Sequence, residues 1–419
     1  MNPADPIALG LALPFWAVLP FMGFLLAIAL FPLIAPRFWE RHFGKVSAAF
    51  GVPVAVWFLV IAPRELFHTA LEYTSFLVLL GSLFTISGGI LLRGTIRGTP
   101  AVNCAFLAAG AVLSNLLGTT GASMLLIRPL LRANSERKRS AHVYVFFIFV
   151  VANIGGVLTP IGDPPLFLGY LKGVPFFWTV RNLWSYWFTA AVIVIGVFYL
   201  LDRMAERSEG KDRRVETSDS SGRKPLMLAG KRNFLFLGTV ITAVFLPTPI
   251  RETVMLAATM LSVWKTPAWI RRENEFTYHP IEEVAILFAG IFATMIPALL
   301  ILKARGGELG VTEPWHFFWA AGMLSSFLDN APTYLTFFSL AQGLGGTADI
   351  VGISAPILRA ISAGAVFMGA NTYIGNAPNF MVKAIVEASG VRMPSFFGYM
   401  TYSFAVLLPV FAIITWLFV

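Results

Sequence analysis

Gly156-Val-Leu-Thr159-Pro-Ile161-Gly162-Asp163-Pro-Pro165-Leu-Phe167 aligns without a gap on Gly369-Ala-Asn-Thr372-Tyr-Ile374-Gly375-Asn376-Ala-Pro378-Asn-Phe380, with six identities in twelve positions. Asp163 falls opposite Asn376. Working outward, Gly173-Val174-Pro175-Phe176-Phe177 is echoed by Gly390-Val391, Pro394 and Phe396-Phe397, while Ser114 and Leu117 match Ser325 and Leu328 upstream. Ser114 precedes Thr159 by 45 residues and Ser325 precedes Thr372 by 47. The chain is therefore a duplicated unit, and each copy carries an apolar segment broken by glycine and proline. Paired broken segments of this kind point to a binding site at the middle of a membrane.

Composition agrees. Of 419 residues 57% are hydrophobic and only 13% charged, against about 25% charged in ordinary soluble domains. That shortfall excludes soluble multidomain enzymes, disordered chains and disulfide scaffolds. The 31 basic and 22 acidic residues leave a net charge of +9, which marks a membrane face better than it marks a nucleic-acid partner. Cys104 is the single cysteine, so neither an intrachain disulfide nor a cysteine metal cluster is available. The first apolar run reaches about Pro36 without a basic start, which is too long for a cleaved signal and is expected to be the first span.

The expected class is an all-α polytopic membrane protein. A crossing helix needs roughly 20 apolar residues, and candidates cover 12–36, 46–63, 72–92, 141–171, 183–201, 233–248, 252–264, 281–302, 360–385 and 397–418. Two further stretches, 100–132 and 314–343, are interrupted at Ser114-Asn115-Leu-Leu-Gly118-Thr119-Thr120-Gly121 and at Ser325-Ser326-Phe-Leu-Asp329-Asn330-Ala-Pro332-Thr333. Each half is too short to cross, so each stretch is expected to be a re-entrant hairpin buried in protein. With the N-terminus outside and both hairpins returning to their side of entry, 24 of the 31 basic residues fall inside and 7 outside, as the positive-inside rule requires. Both termini are then outside. The polar segment 202–232 reads as a cytoplasmic linker between two inverted repeats, 1–201 and 233–419. Each repeat holds about five spans and one hairpin.

A charge at the bilayer centre costs about 2.5–3.5 kcal/mol even on the lenient insertion scale. Of 22 acidic residues, only Asp163 and Asp329 lie inside apolar spans without a charged neighbour in sequence. Asp163 precedes Pro164-Pro165, a setting that suits a helix N-cap. Asp329 stands at a hairpin tip with less to recommend it as a cap. Around them lie Ser114, Asn115, Thr119, Thr120, Asn153, Thr159, Asn330, Thr333, Asn371, Thr372, Asn376 and Asn379. These oxygens, with unwound carbonyls, suit a hard cation such as sodium. The positive ends of half-helices suit an anion equally. Any single serine or threonine also bonds its own helix turn, so the clusters carry the information. His279, Glu282 and Glu283 sit at the start of a span, where the helix dipole alone accounts for acidic residues. Phosphate-loop spacing of the G-x-x-x-x-G-K type is absent from the sequence, which argues against ATP-driven pumping by this chain.

These four motifs resemble those of the ion transporter superfamily, which includes arsenite pumps. They are Ser114-Asn115-x-x-Gly118-Thr119-Thr120-Gly121, Thr159-Pro-Ile-Gly-Asp163-Pro-Pro, Leu328-Asp329-Asn330-Ala-Pro332 and Asn371-x-x-x-Gly375-Asn376-x-Pro378. They are most similar to NhaD-type sodium/proton antiporters and the related citrate-transporter group. The resemblance covers nearly the whole chain apart from 202–232. It implies inverted repeats, a homodimer and a transport domain that moves as an elevator. It also implies that Asn115, Thr119, Asp163, Asp329, Asn330 and Asn376 form the site, with Asn115, Asp163, Asp329, Asn330 and Asn376 as sodium ligands. Sodium-coupled carboxylate carriers repeat a Ser-Asn-Thr triplet at both tips; here Leu116 and Asp329-Asn330-Ala331 depart from it. An Asp in the site repels an anion, so the departure favours a cation.

The expected function is sodium (or lithium)/proton antiport across a bacterial-type inner membrane, with sodium- or proton-coupled citrate or dicarboxylate transport as the alternative. A bound cofactor is not expected; sodium and the proton are cargo or coupling ions. An intramembrane aspartyl protease is the third class, and Pro160 where its Gly-x-Gly-Asp motif needs glycine argues against it.

Overall fold

The computed structural model describes residues 6–94, 96–210, 227–345 and 350–419. Among them are seventeen α-helices and one two-stranded ribbon. Proline sets many of the helix starts, because its fixed φ and missing N–H suit the first turn. Thus α1 (Pro6–Ala12) and α2 (Leu19–Ile34) precede α3 (Pro36–Ile61), α4 (Pro63–Ser87) and α5 (Pro100–Ala133). Then come α6 (Ala141–Val150), α7 (Pro164–Leu171) and α8 (Trp178–Gly210). The second half supplies α9 (Asn233–Ala243), α10 (Ile250–Lys265), the short α11 (Ala268–Glu273) and α12 (His279–Arg305). It ends with α13 (Pro314–Phe327), α14 (Asn330–Gln342), α15 (Ala355–Met368), α16 (Ala377–Ala388) and α17 (Phe396–Phe418). The chain is a polytopic helical membrane protein: among the described residues, eight helical stretches are long and apolar enough to cross a bilayer.

Several expected boundaries shift. The span expected over 46–63 starts ten residues earlier, at Pro36, and that over 72–92 starts at Pro63 and stops at Ser87. In both cases a proline, not the onset of hydrophobicity, opens the helix. Leu91–Arg93 (β1) pairs antiparallel with Met227–Ala229 (β2). The expected linker over 202–232 is also revised at both ends: α8 continues to Gly210, and 227–232 holds β2 and the approach to α9. The remainder, 211–226, lies outside the described residues. The helix persists because Asp202 is buried beside the Arg137 guanidinium, His142 and Asn103, so its charge is compensated and does not draw the chain into water.

A straight helix of 34 residues would measure about 51 Å, yet the Gly98 N–H donates to the Ala133 carbonyl at 2.7 Å across the ends of α5. Asn103 and Asn134 also bond side chain to side chain, at 3.0 and 2.8 Å. Hence α5, although long enough to cross, doubles back on itself. The turn falls at Gly118, whose φ of +75° and ψ of 157° leave the helical region, a conformation that suits a residue without Cβ. The second interrupted stretch does the same between α13 and α14: the Phe317 and Phe337 rings meet edge to face at 6.3 Å between centroids.

The two broken helices, α6–α7 and α15–α16, cross at the centre of the molecule. Val143 to Ala152 are all fully buried, so α6 is wrapped on every side, as an all-round apolar helix must be. The packing is reciprocal between the halves. Helix α3 packs on α12 as α10 packs on α4, and α2 on α12 as α9 on α4. Likewise α5 meets α16 as α14 meets α7.

Each broken loop folds back on its own backbone, and this explains a glycine pair repeated in both halves. A Cβ on Gly162 would stand 2.2 Å from the Gly156 carbonyl oxygen, and one on Gly375 would stand 2.5 Å from that of Gly369. Overpacking of a core costs about 1–3 kcal/mol, and here the obstacle is backbone. Gly162→Ala is therefore expected to lower the apparent melting temperature of the purified protein, whereas Gly196→Ala on α8, with nothing within 4 Å, leaves it unchanged or slightly higher. Equal melting of the two variants would contradict this packing.

Candidate functional site

The two hairpin tips and the two broken loops converge on Asp163, which is 1% exposed. Thr119, the residue after the Gly118 turn, donates from Oγ1 to Asp163 Oδ1 at 2.8 Å, and its backbone N–H donates to the Gly162 carbonyl at 2.8 Å. Asn330, the first residue of α14, donates from Nδ2 to the other carboxylate oxygen, Oδ2. From the opposite broken loop, Asn376 Nδ2 lies 3.2 Å from Oδ1, and also reaches the Ala152 carbonyl at 3.0 Å and Asn153 Oδ1 at 3.3 Å. One carboxylate thus joins three chain segments from both halves. Buried charges persist only with such bonds.

Local geometry reverses the capping roles suggested by sequence. Asp163 precedes Pro164-Pro165 at the start of α7, but its side chain makes no cap bond; it is turned toward the tips. Pro165 at N2 has no N–H, and the Leu166 N–H at N3 goes to the Asp163 backbone carbonyl at 3.1 Å, so the donors a cap would serve are missing or taken. Asp329 is the residue that caps: its Oδ1 accepts from the Ala331 N–H at 3.0 Å, and its backbone carbonyl accepts from Thr333 Oγ1 at 3.0 Å. Asp329 is half-buried and adjoins Asn330, which holds Asp163.

The surrounding donors fall into two matching frames. In the first, Asn115 Oδ1 accepts from the Leu158 N–H at 2.9 Å and its backbone carbonyl accepts from Thr159 Oγ1 at 2.6 Å. In the second, the Ser326 backbone carbonyl accepts from Thr372 Oγ1, and Ser326 Oγ accepts from Asn371 Nδ2 at 2.9 Å. Asn153 and Asn379 bind each other at 2.7 Å, and Asn379 also donates to the carbonyls of Gly369 and Thr372 at 2.8 and 2.9 Å. Ser114 donates to the carbonyls of Gly110 and Val151 at 2.8 and 2.7 Å, so its hydroxyl is occupied in joining α5 to the broken loop. Thr120 stands beside the carboxylate in the wall of a small cavity of about 20 Å³, together with Thr119, Gly162 and Asp163. A space of that size holds one water-sized species.

His279, Glu282 and Glu283 occupy the first turn of α12, with His279 and Glu282 exposed, apart from the carboxylate cluster. Two orphaned acceptors lie inside the cluster: Asn330 Oδ1 and Asn371 Oδ1 are buried and receive no hydrogen bond among the described residues. A buried polar atom without a partner calls for a ligand, a proton or a rearrangement. Each is an available acceptor for a cation.

Sequence reasoning passed over Ser326, which replaces the first tip's Asn115 in the second frame, and four buried carboxylates, among them Glu209 beside Arg137. Glu72 pairs with Lys172 at 2.7 Å, Glu252 with Arg251 and Ser75, and Asp202 with Arg137. Glu252 and Asp202 have a basic neighbour in sequence and Glu72 stands at the edge of an apolar run, so nothing local announced their burial. Their partners lie 100, 177 and 65 residues away for Lys172, Ser75 and Arg137.

A family model described as "Putative citrate transport" matches residues 10–419. No curated protein matches the chain.

Leaving a buried polar group unpaired costs about 1–3 kcal/mol. Asn153→Leu orphans the Ile148 carbonyl and Asn379 Oδ1 together, so its apparent melting temperature is expected to fall clearly below that of Thr120→Val. The Thr120 side chain makes no bond among the described residues, and its variant should melt like the wild type. A stable Asn153→Leu variant would show that the asparagine frame does not hold the broken loops.

Proposed function

This chain belongs to the citrate-transport family whose model it matches and is a membrane transporter; on that premise we propose that it is a secondary active sodium (or lithium)/proton antiporter. The observation that carries the reading is the Asp163 carboxylate, buried among neutral donors at the meeting of both hairpin tips and beside a cavity of about 20 Å³. That space matches a bare cation or a proton-carrying water.

The chemistry follows from the carboxylate's ligands. When Asp163 is ionised, Thr119, Asn330 and Asn376 donate to it, and a sodium ion neutralises the charge that remains. Protonation adds an O–H donor to the carboxyl, and that donor needs an acceptor within the cluster. Asn330 suits this step: a turn of its amide presents the orphaned Oδ1 either to the new O–H or to a cation. Asp329 supplies a second carboxylate beside it, with Oδ1 held by the Ala331 N–H. Proton and sodium then compete for one site, and that competition couples their movements in opposite directions.

Transport further requires that the site face each side in turn. The reciprocal packing supports two inverted repeats, 1–201 and 233–419, in which the hairpins and broken helices form one body. That body would slide as an elevator past α2–α4 and α9–α12 in a homodimer. Short half-helices let the tips move without exposing backbone to lipid.

A second reading, sodium- or proton-coupled citrate or dicarboxylate transport, is favoured by the family's description. In it Asp163 and Asp329 hold the coupling cation.

In everted vesicles, Asp163→Asn and Asp329→Asn are each expected to abolish sodium-dependent dequenching of a pH-sensitive dye, while both proteins remain folded by size exclusion. Wild-type dequenching in either variant removes that residue from the mechanism. Accumulation of labelled citrate or succinate driven by a sodium gradient would favour the second reading, and its absence across a dicarboxylate panel would count against it.

A further inference from the structure

Where α5 ends and α6 begins, a cavity of about 1050 Å³ opens between the α5–α6 connection, α11 and the loop from α16 to α17. Six lysine or arginine residues line it against two glutamates. Both glutamates are already engaged: Glu273 is held two-toothed by Arg93, and Glu275 by Arg128 at 3.0 Å. The side chains of Lys138, Arg139 and Arg392 are exposed and have no partner among the described residues.

Basic residues at the end of a membrane bundle are expected from topology alone. Two features exceed that expectation. The charges are gathered around a concavity instead of being spread over a face. In addition, Arg137 is 8% exposed and lines the cavity: its Nη1 pairs with Asp202 and its Nε lies 3.5 Å from the buried Glu209 carboxylate, while its buried Nη2 has no hydrogen-bond partner among the described residues. A guanidinium fixed by two carboxylates, with one nitrogen still without an acceptor, has a donor left for an oxyanion.

We propose that this cavity is a binding site for a polyvalent phosphate-bearing anion. Arg137 Nη2 is the inner donor, and Lys138, Arg139 and Arg392 close over the anion from outside. The volume far exceeds a single monovalent ion, and the cations come from two segments that only a multivalent ligand bridges. Its place at the ends of membrane helices, with Tyr402 in the wall, suits a phospholipid headgroup; free pyrophosphate presents the same chemistry. The site is separate from the hairpin tips and does not depend on which cargo they carry.

The test uses the full-length protein, with thermal stability and native mass spectrometry as readouts and four probes: diphosphatidylglycerol, pyrophosphate, phosphatidylcholine and citrate. Wild type is expected to bind diphosphatidylglycerol or pyrophosphate, more weakly as salt rises, and not phosphatidylcholine. Each surface cation contributes about fivefold in affinity, so the triple variant Lys138→Gln, Arg139→Gln, Arg392→Gln is expected to bind about a hundredfold more weakly. Binding of the lipid alone assigns a headgroup site, and binding of pyrophosphate as well shows that the phosphates suffice. The proposal is overturned if neither probe binds, if the triple variant binds as the wild type does, or if citrate displaces bound pyrophosphate as well as unlabelled pyrophosphate does. Should the triple variant fail to fold, salt-independent binding by the wild type overturns it equally.

Discussion

Three hydrogen bonds to the Asp163 carboxylate, from Thr119, Asn330 and Asn376, impose the constraint from which much of the central architecture follows. A carboxylate at that depth needs several donors, and here they are the side chains of Thr119, Asn330 and Asn376. Each of the three stands where a helix turns or starts. Two hairpins that turn back inside the protein and two helices that unwind at their middle provide those places. The chain thereby gains a polar centre while its lipid-facing surface stays helical and apolar.

Breaking four helical segments creates its own cost, since unwound backbone leaves donors and acceptors exposed to a dry interior. The asparagine and threonine frames meet that need. Asn115 with Thr159 and Ser326 with Thr372 tie each tip to the broken loop of its own half, while Asn153 with Asn379 ties the two loops across the molecule. Close backbone approach within each loop, at Gly156–Gly162 and Gly369–Gly375, keeps the tips near the carboxylate. The same residues therefore serve stability and siting together. One departure from repeat symmetry, Asp163 against Asn376, puts a carboxylate on one broken loop and a neutral amide on the other.

Much of this was legible in the sequence because the physics is local. Polar residues inside an apolar run mark a break, and a break duplicated at matching spacing marks a centre; Gly118, Asp163, Asp329 and Asn376 were all found that way. Helix ends at Pro36 and Pro63 were missed because hydropathy sees composition and not the proline that opens a turn. The capping roles were assigned the wrong way round. Two prolines after Asp163 suggested a cap, yet the second removes the N2 N–H that a cap binds, whereas Asp329 retains that donor at Ala331. Asp202 escaped notice because its compensation by Arg137 and Asn103 is tertiary: a charge whose partner lies far along the chain looks like a solvent-facing charge until the fold is known.

The central claim is that the cluster around Asp163 takes a small cation, and ligand-dependent thermal stabilisation of the purified protein at fixed ionic strength tests it most directly. A ligand that binds only the folded state at a hundred times its dissociation constant adds about 2.7 kcal/mol of stability, enough to read as a clear shift. The account predicts that sodium or lithium raises the melting temperature in a saturable way, that potassium does not, and that citrate and dicarboxylates add nothing when sodium is absent. Stabilisation by a carboxylate without sodium, with sodium itself inert, would contradict it.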